Sequence, residues 1–210
     1  MGARYRAVLF DLLTALLDSW SLWNDVAGDP DLGFRWRSRY LAVAYGAGGY
    51  RPYESLVHEA ARDAGLPPTA PARLTARWAE LEPWPDAPAV LGELAPHVRL
   101  GTVTNCSESL GRVAAGRVGV PLDPVVTAER AGSYKPRPQP YRLALGELGL
   151  EPGEVLFVAG SGYDLVGAGG VGMPVYWHNR RGLDAPPEAP EPLRVEGSLV
   201  PLVEVVRGGS

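Results

Sequence analysis

Ala7-Val8-Leu9-Phe10-Asp11 is four consecutive apolar residues that end on an acid. A short apolar run that does not alternate marks a strand covered on both faces. Four later runs are nearly as continuous: Val98–Val103, Pro124–Thr127, Val155–Ala159 and Pro174–Trp177. Helical patterns lie between them. Ser107–Val118 opens on a residue suited to cap a helix. Pro138–Leu148 keeps its prolines in the first turn, where they are tolerated. Asp164–Val171 is short and glycine-rich. Strand and helix alternate from Val98 onward, which predicts an α/β fold: a parallel sheet with helices on both faces.

Residues 11–97 separate the first two runs, far more chain than one crossover helix needs. Helical patterns fill Ser19–Val26, Leu32–Tyr45, Tyr53–Ala64 and Ala70–Glu80, and the segment carries Trp20, Trp23, Trp36, Trp78 and Trp84. The expected organisation is a Rossmann-like core from residues 1–17 and 88–210, with residues 18–87 inserted as a helical cap. Leu193–Val206 is expected to add a last strand or short helix to the core. The tryptophans would lie inside the cap or at the interface of a homodimer.

Composition narrows the function classes. Hydrophobic residues make up 46% and charged residues 21%, the balance of a soluble globular protein. A net charge of −4 argues against a nucleic-acid partner held through phosphates. The only cysteine, Cys106, cannot form an intrachain disulfide, and no stretch approaches the roughly 20 apolar residues of a membrane span. The apolar run before Asp11 is too short for a signal peptide, so a cytoplasmic protein is expected, with no membrane partner.

In open parallel sheets ligands bind beyond the carboxyl ends of the strands. The residues just past the five runs are Asp11; Thr104, Asn105 and Cys106; Lys135; Gly160, Ser161 and Asp164; and His178. A carboxylate ending a buried strand is costly unless something pairs with it, and Lys135, the one lysine in the chain, is the available cation. A paired carboxylate stays ionised and held in place, as a carboxylate nucleophile requires. A lone acid at a strand end is usually a turn residue; four polar groups at successive strand ends point to a site. Cys106 reads as packing, and His178 as a weak candidate.

Four segments in order resemble the motifs of the haloacid dehalogenase superfamily. They are Leu9-Phe10-Asp11-Leu12-Leu13-Thr14-Ala15-Leu16; Val103-Thr104-Asn105; Ser133-Tyr134-Lys135-Pro136 with Pro138 and Tyr141; and Phe157 to Asp164 followed by Gly167-Ala168. The third segment is similar to that of the L-2-haloacid dehalogenases, and Trp36-Arg37 and Tyr53-Glu54 resemble two cap segments of those enzymes. The resemblance implies a hydrolase of small 2-substituted carboxylic acids. Asp11 would be the nucleophile, Lys135 would hold it, and Asp164 would orient Lys135. Leu12 through its amide, Arg37, Thr104, Asn105, Tyr141 and Ser161 would meet the substrate, with Arg37 and Asn105 stabilising the departing anion. In the second motif the expected hydroxyl is Thr104, with Thr102 structural. No cofactor or metal would be required.

Several positions depart from that pattern. The threonine that ends the first motif is Ala15 here, leaving a hydroxyl one residue earlier at Thr14. Ala159 and Ser161 replace a serine and an asparagine, and Leu56 stands for a cap phenylalanine. Two alternatives remain open. One is a phosphatase with Mg²⁺ at Asp11 and Asp164, although phosphatases place a second Asp where this chain has Leu13. The other is a degenerate member that binds small acids without turning them over.

Overall fold

The computed structural model describes residues 4–208. Its sheet has six parallel strands: β1 (Ala7–Phe10), β2 (Arg99–Thr104), β3 (Val125–Thr127), β4 (Val155–Ala159), β5 (Val175–His178) and β6 (Arg194–Glu196). Their order is β3-β2-β1-β4-β5-β6. The chain therefore leaves β1 toward one edge and returns at β4 to build the other. Phe10 pairs with Thr102 on one side and Val158 on the other. This reversal beside β1 puts Asp11 at the mouth of the crevice where such sheets bind ligands. Every residue of β1 and β4 is buried, as their unbroken apolar runs require.

Four helices follow β1: α1 (Ser19–Ala27), α2 (Pro30–Gly46), α3 (Tyr53–Asp63) and α4 (Ala70–Ala76). The caps that start the first two are local. The Asp18 carboxylate accepts from the Ser21 amide at 3.2 Å, and Asp29 accepts from Leu32 at 2.7 Å ahead of Pro30. The helices pack on one another through aromatic rings. Trp23 meets Trp36 at 4.6 Å between centroids, and Tyr40 meets Tyr53 edge-on at 5.2 Å. All five tryptophans of this segment are buried, so their rings go inward.

Polar contacts seat this cluster over the sheet's carboxyl edge. The Tyr40 hydroxyl donates to the Asn105 carbonyl and that of Tyr134 to the Arg51 carbonyl, both at 2.7 Å. Trp78 Nε1 donates to Leu110 O at 3.0 Å.

The chain then forms α5 (Ala87–Leu94), α6 (Glu108–Ala115), α7 (Ala128–Ala131), α8 (Pro138–Leu148), α9 (Tyr163–Gly170) and α10 (Leu202–Arg207). Some expectations need correction. The stretch expected as one helix over 70–80 breaks at Arg77 and restarts as a single tight turn, Trp78–Glu80, which carries the Trp78 ring into the core. Helix α5, which the sequence reading passed over, packs on α10. Ser107 holds the N-cap position of α6, but its hydroxyl makes no capping bond and instead donates to the Glu54 carboxylate at 2.6 Å. The tail supplies both a strand, β6, and a helix, α10. Among the described residues no helix is long and apolar enough to cross a membrane.

Candidate active site

Asp11 leaves β1 with its amide donating to Val158 O at 2.9 Å, so the neighbouring strand fixes its backbone. The next residues, Leu12–Leu16, form one wide helical turn closed by Leu17 N donating to Leu12 O at 3.0 Å, five residues apart. The turn is pinned from below. Trp84 Nε1 donates to Thr14 O at 2.9 Å, and His178 Nδ1 lies 2.8 Å from Ala15 O. Gly160 makes room for it, because a Cβ there would overlap Thr14 and the Ala15 amide.

Lys135 arrives by another route. α7 ends at Gly132 in the left-handed conformation (φ 70°), which turns Ser133, Tyr134 and Lys135 back under the surface. The Asn105 amide then clamps the Lys135 backbone: Lys135 N donates to Asn105 Oδ1 at 2.8 Å, and Asn105 Nδ2 donates to Lys135 O at 3.1 Å. Lys135 Nζ lies 3.0 Å from Asp11 Oδ1 and 3.0 Å from Asp164 Oδ1. All three side chains are under a tenth exposed. The Tyr141 hydroxyl donates to Asp164 Oδ1 at 2.6 Å. Gly167 permits that approach, since a Cβ there would overlap the Tyr141 ring.

The electrostatics follow from burial. Desolvation opposes the charge on Lys135, but Asp11 and Asp164 together outweigh it and hold the ammonium above its ordinary pKa. Desolvation also drives Asp164 up, to about 6; Lys135 opposes the shift and the like charge of Asp11 adds to it. Asp11 keeps the second half of the ammonium's attention and also accepts a hydrogen bond from the Thr14 hydroxyl at Oδ2. The hydroxyl one residue before Ala15 therefore reaches the carboxylate.

Over this triad lies a cavity of about 240 Å³, closed above by α1, α2 and α3. Arg37 enters it from α2. Its guanidinium carbon sits 3.7 Å from the centre of the Trp20 ring, and it is buried. Desolvation lowers its pKa to about 10, partly offset by Asp11, so it remains a cation at neutral pH. Its Nη1 is buried without a hydrogen-bond partner among the described residues. An unsatisfied buried donor costs roughly 1–3 kcal/mol, more when charged, which an anion in the cavity would offset.

The structure brings Asp11, Lys135 and Asp164 together, and Arg37, Asn105 and Ser161 line the same cavity. Leu12, expected to act through its backbone amide, is buried beside Leu13 and Thr14, which line the cavity. Two expected substrate contacts fall elsewhere. Thr104 is also wholly buried, and its hydroxyl faces Cys106 Sγ at 3.7 Å. Tyr141 lies behind Asp164 and orients that carboxylate instead of meeting a ligand. Thr102 is structural, donating to Phe10 O at 2.7 Å. His178 and Cys106 stay outside the cavity, and burial pushes the Cys106 thiol up to about 12.

The sequence pointed to the Thr14 hydroxyl and to Arg37 but not to Trp20 or to the other α2 residues on the cavity wall. Phe34, Arg37, Ser38, Leu41 and Tyr45 all line the cavity at helical spacing. That periodicity was the available signal, but it looks the same as a core-facing stripe until the opposite wall is known.

The donor set does not suit a divalent cation. Asp11 and Asp164 both face the Lys135 ammonium, Asp164 also takes the Tyr141 hydroxyl, and the position of a further acid is Leu13, an apolar cavity wall. No cluster of three potential ligands occurs among the described residues.

Comparison with known proteins places the chain in a family. A model of the haloacid dehalogenase-like hydrolases matches residues 5–172. The chain belongs to the haloacid dehalogenase-like hydrolase family. It is 30% identical over 192 residues to (S)-2-haloacid dehalogenase 1 of Pseudomonas sp. (strain CBS-3), spanning 83% of this chain and 85% of that protein. A crystal structure of a dehalogenase with an intermediate complex superposes with a TM-score of 0.85 at 27% identity, covering 99% of both chains. The L-2-haloacid dehalogenase of Xanthobacter autotrophicus with chloropropionic acid covalently bound shares the fold, with a TM-score of 0.86 at 24% identity over 98% of this chain and all of that one.

Thr14→Val in this family member is expected to lower kcat about 10- to 100-fold. It removes a hydrogen bond to a buried carboxylate, worth roughly 1.5–3 kcal/mol, while keeping side-chain volume. Steady-state kinetics would check this, and a kcat within twofold of the parent would contradict it.

Proposed function

We propose that this hydrolase removes the halogen from small (S)-2-halo carboxylic acids through a covalent ester on Asp11. One observation carries the reading: Arg37, whose buried Nη1 has no hydrogen-bond partner among the described residues, lines the cavity that also holds a buried, lysine-held carboxylate. Such a cavity suits an anionic substrate that departs as a second anion.

An Asp11 carboxylate oxygen attacks C2 from the side opposite the halogen. The new C–O bond forms as the carbon–halogen bond breaks, and the halide leaves with the electron pair beside Arg37, which is already charged and in place. Water next adds to the acyl carbon of Asp11 and gives a proton to Asp164, whose pKa near 6 suits a base at neutral pH. Collapse expels the 2-hydroxy acid and restores Asp11. One displacement at C2 means inversion there. Lys135 and Thr14 hold the carboxylate throughout, and the helices above keep bulk water away.

Bromide release from (S)-2-bromopropanoate in the presence of a chelator is the expected result. Hydrolysis of p-nitrophenyl phosphate only with Mg²⁺, and no bromide release, would instead support a phosphatase. Binding without either turnover would support a degenerate member.

The Asp164 assignment predicts a pH profile. The base acts on the ester intermediate and must be ionised there, so kcat should fall as pH drops through about 6. A profile flat from pH 7.5 to 4.5 would remove Asp164 from that role.

A further inference from the structure

The cavity over Asp11 is larger and more apolar than a three-carbon substrate needs. At interior packing density a 2-halopropanoate would fill roughly half of its 240 Å³. The polar groups stand together at the floor and on Arg37, where the carboxylate and halogen would sit. The remaining walls are aromatic and aliphatic, notably Trp20, Phe34, Tyr40, Leu41, Tyr53 and Tyr163. Phe34 and Tyr163 are also 48% and 43% exposed, so apolar surface continues from the floor to the rim. Trp20 and Phe34 stack with their ring centres 5.8 Å apart and 16° between planes. The rim carries the exposed Asp184, which disfavours a second acidic group there.

We propose that the substrate bears a bulky, uncharged apolar group at C2, a benzyl group or an alkyl chain of comparable bulk, seated against the Trp20–Phe34 wall. This rests on the dehalogenase reading for its chemistry, while its apolar subsite stands on the cavity alone. Empty apolar volume is filled favourably by such a group, and each buried methylene is worth about three- to fourfold in affinity.

The test is a series of kcat/KM values for (S)-2-bromopropanoate, (S)-2-bromohexanoate and (S)-2-bromo-3-phenylpropanoate. A rise of about tenfold or more from the first to the larger two is expected, and Phe34→Ala should shrink that ratio severalfold. Values that stay level or fall with bulk overturn the proposal. If none of the three is turned over, the dehalogenase reading fails, and calorimetric binding of propanoate, hexanoate and 3-phenylpropanoate decides the subsite. Tighter binding with apolar bulk, weakened in Phe34→Ala, supports it; affinity independent of bulk overturns it.

Discussion

Asp11→Asn is expected to lose turnover of every 2-halo acid by about 10⁴-fold or more, because an amide at position 11 is too weak a nucleophile to form the ester. The variant should remain folded. Asparagine has nearly the same shape, and Lys135 keeps Asp164 at 3.0 Å as a partner. Halide release measured beside a thermal melt separates the two effects. Activity within tenfold of the parent would mean that Asp11 is not the nucleophile.

Lys135→Met carries the largest expected loss of stability. It leaves the Asp11 and Asp164 carboxylates buried near each other with no ammonium between them. Removing one partner of a buried ion pair costs roughly 3–5 kcal/mol. The loss should depend on pH in a defined direction. Burial already holds Asp164 above the ordinary carboxylate range, and removing Lys135 takes away the charge that opposes that rise. A carboxyl whose folded pKa is raised binds its proton more tightly in the folded state, so stability falls as pH rises through that range and recovers below it. Urea unfolding should therefore show a wide gap from the parent at pH 7 and a narrower one at pH 4.5. A gap that widens on acidification would contradict the paired arrangement.

How far the sequence could be read depended on what each residue answers to. The strands were legible because Ala7–Phe10 and Val155–Ala159 are buried on both faces and must be apolar throughout. Asp11, Lys135 and Asp164 were legible because strand ends in a parallel sheet converge on one edge. Thr104 and Thr102 show the limit, since two threonines on the same face of one strand find different partners that the strand pattern does not distinguish. Thr102 reaches Phe10 O while Thr104 turns to Cys106. The role of Tyr141 behind Asp164 needed the packing of α8 on α9, which Gly167 permits and no local pattern announces. Thr14 needed the wide turn over Leu12–Leu16, whose shape depends on Trp84, Gly160 and His178, all distant in sequence.

The central claim is that a buried carboxylate at position 11, and not water, makes the first bond to the substrate. A single turnover in H₂¹⁸O, with enzyme in excess over (S)-2-bromopropanoate, tests it directly by mass spectrometry of product and of the peptide containing Asp11. The account predicts heavy oxygen in the Asp11 carboxylate and ordinary oxygen in the newly formed hydroxyl of the product. Heavy oxygen in that hydroxyl, with none in the peptide, would contradict it.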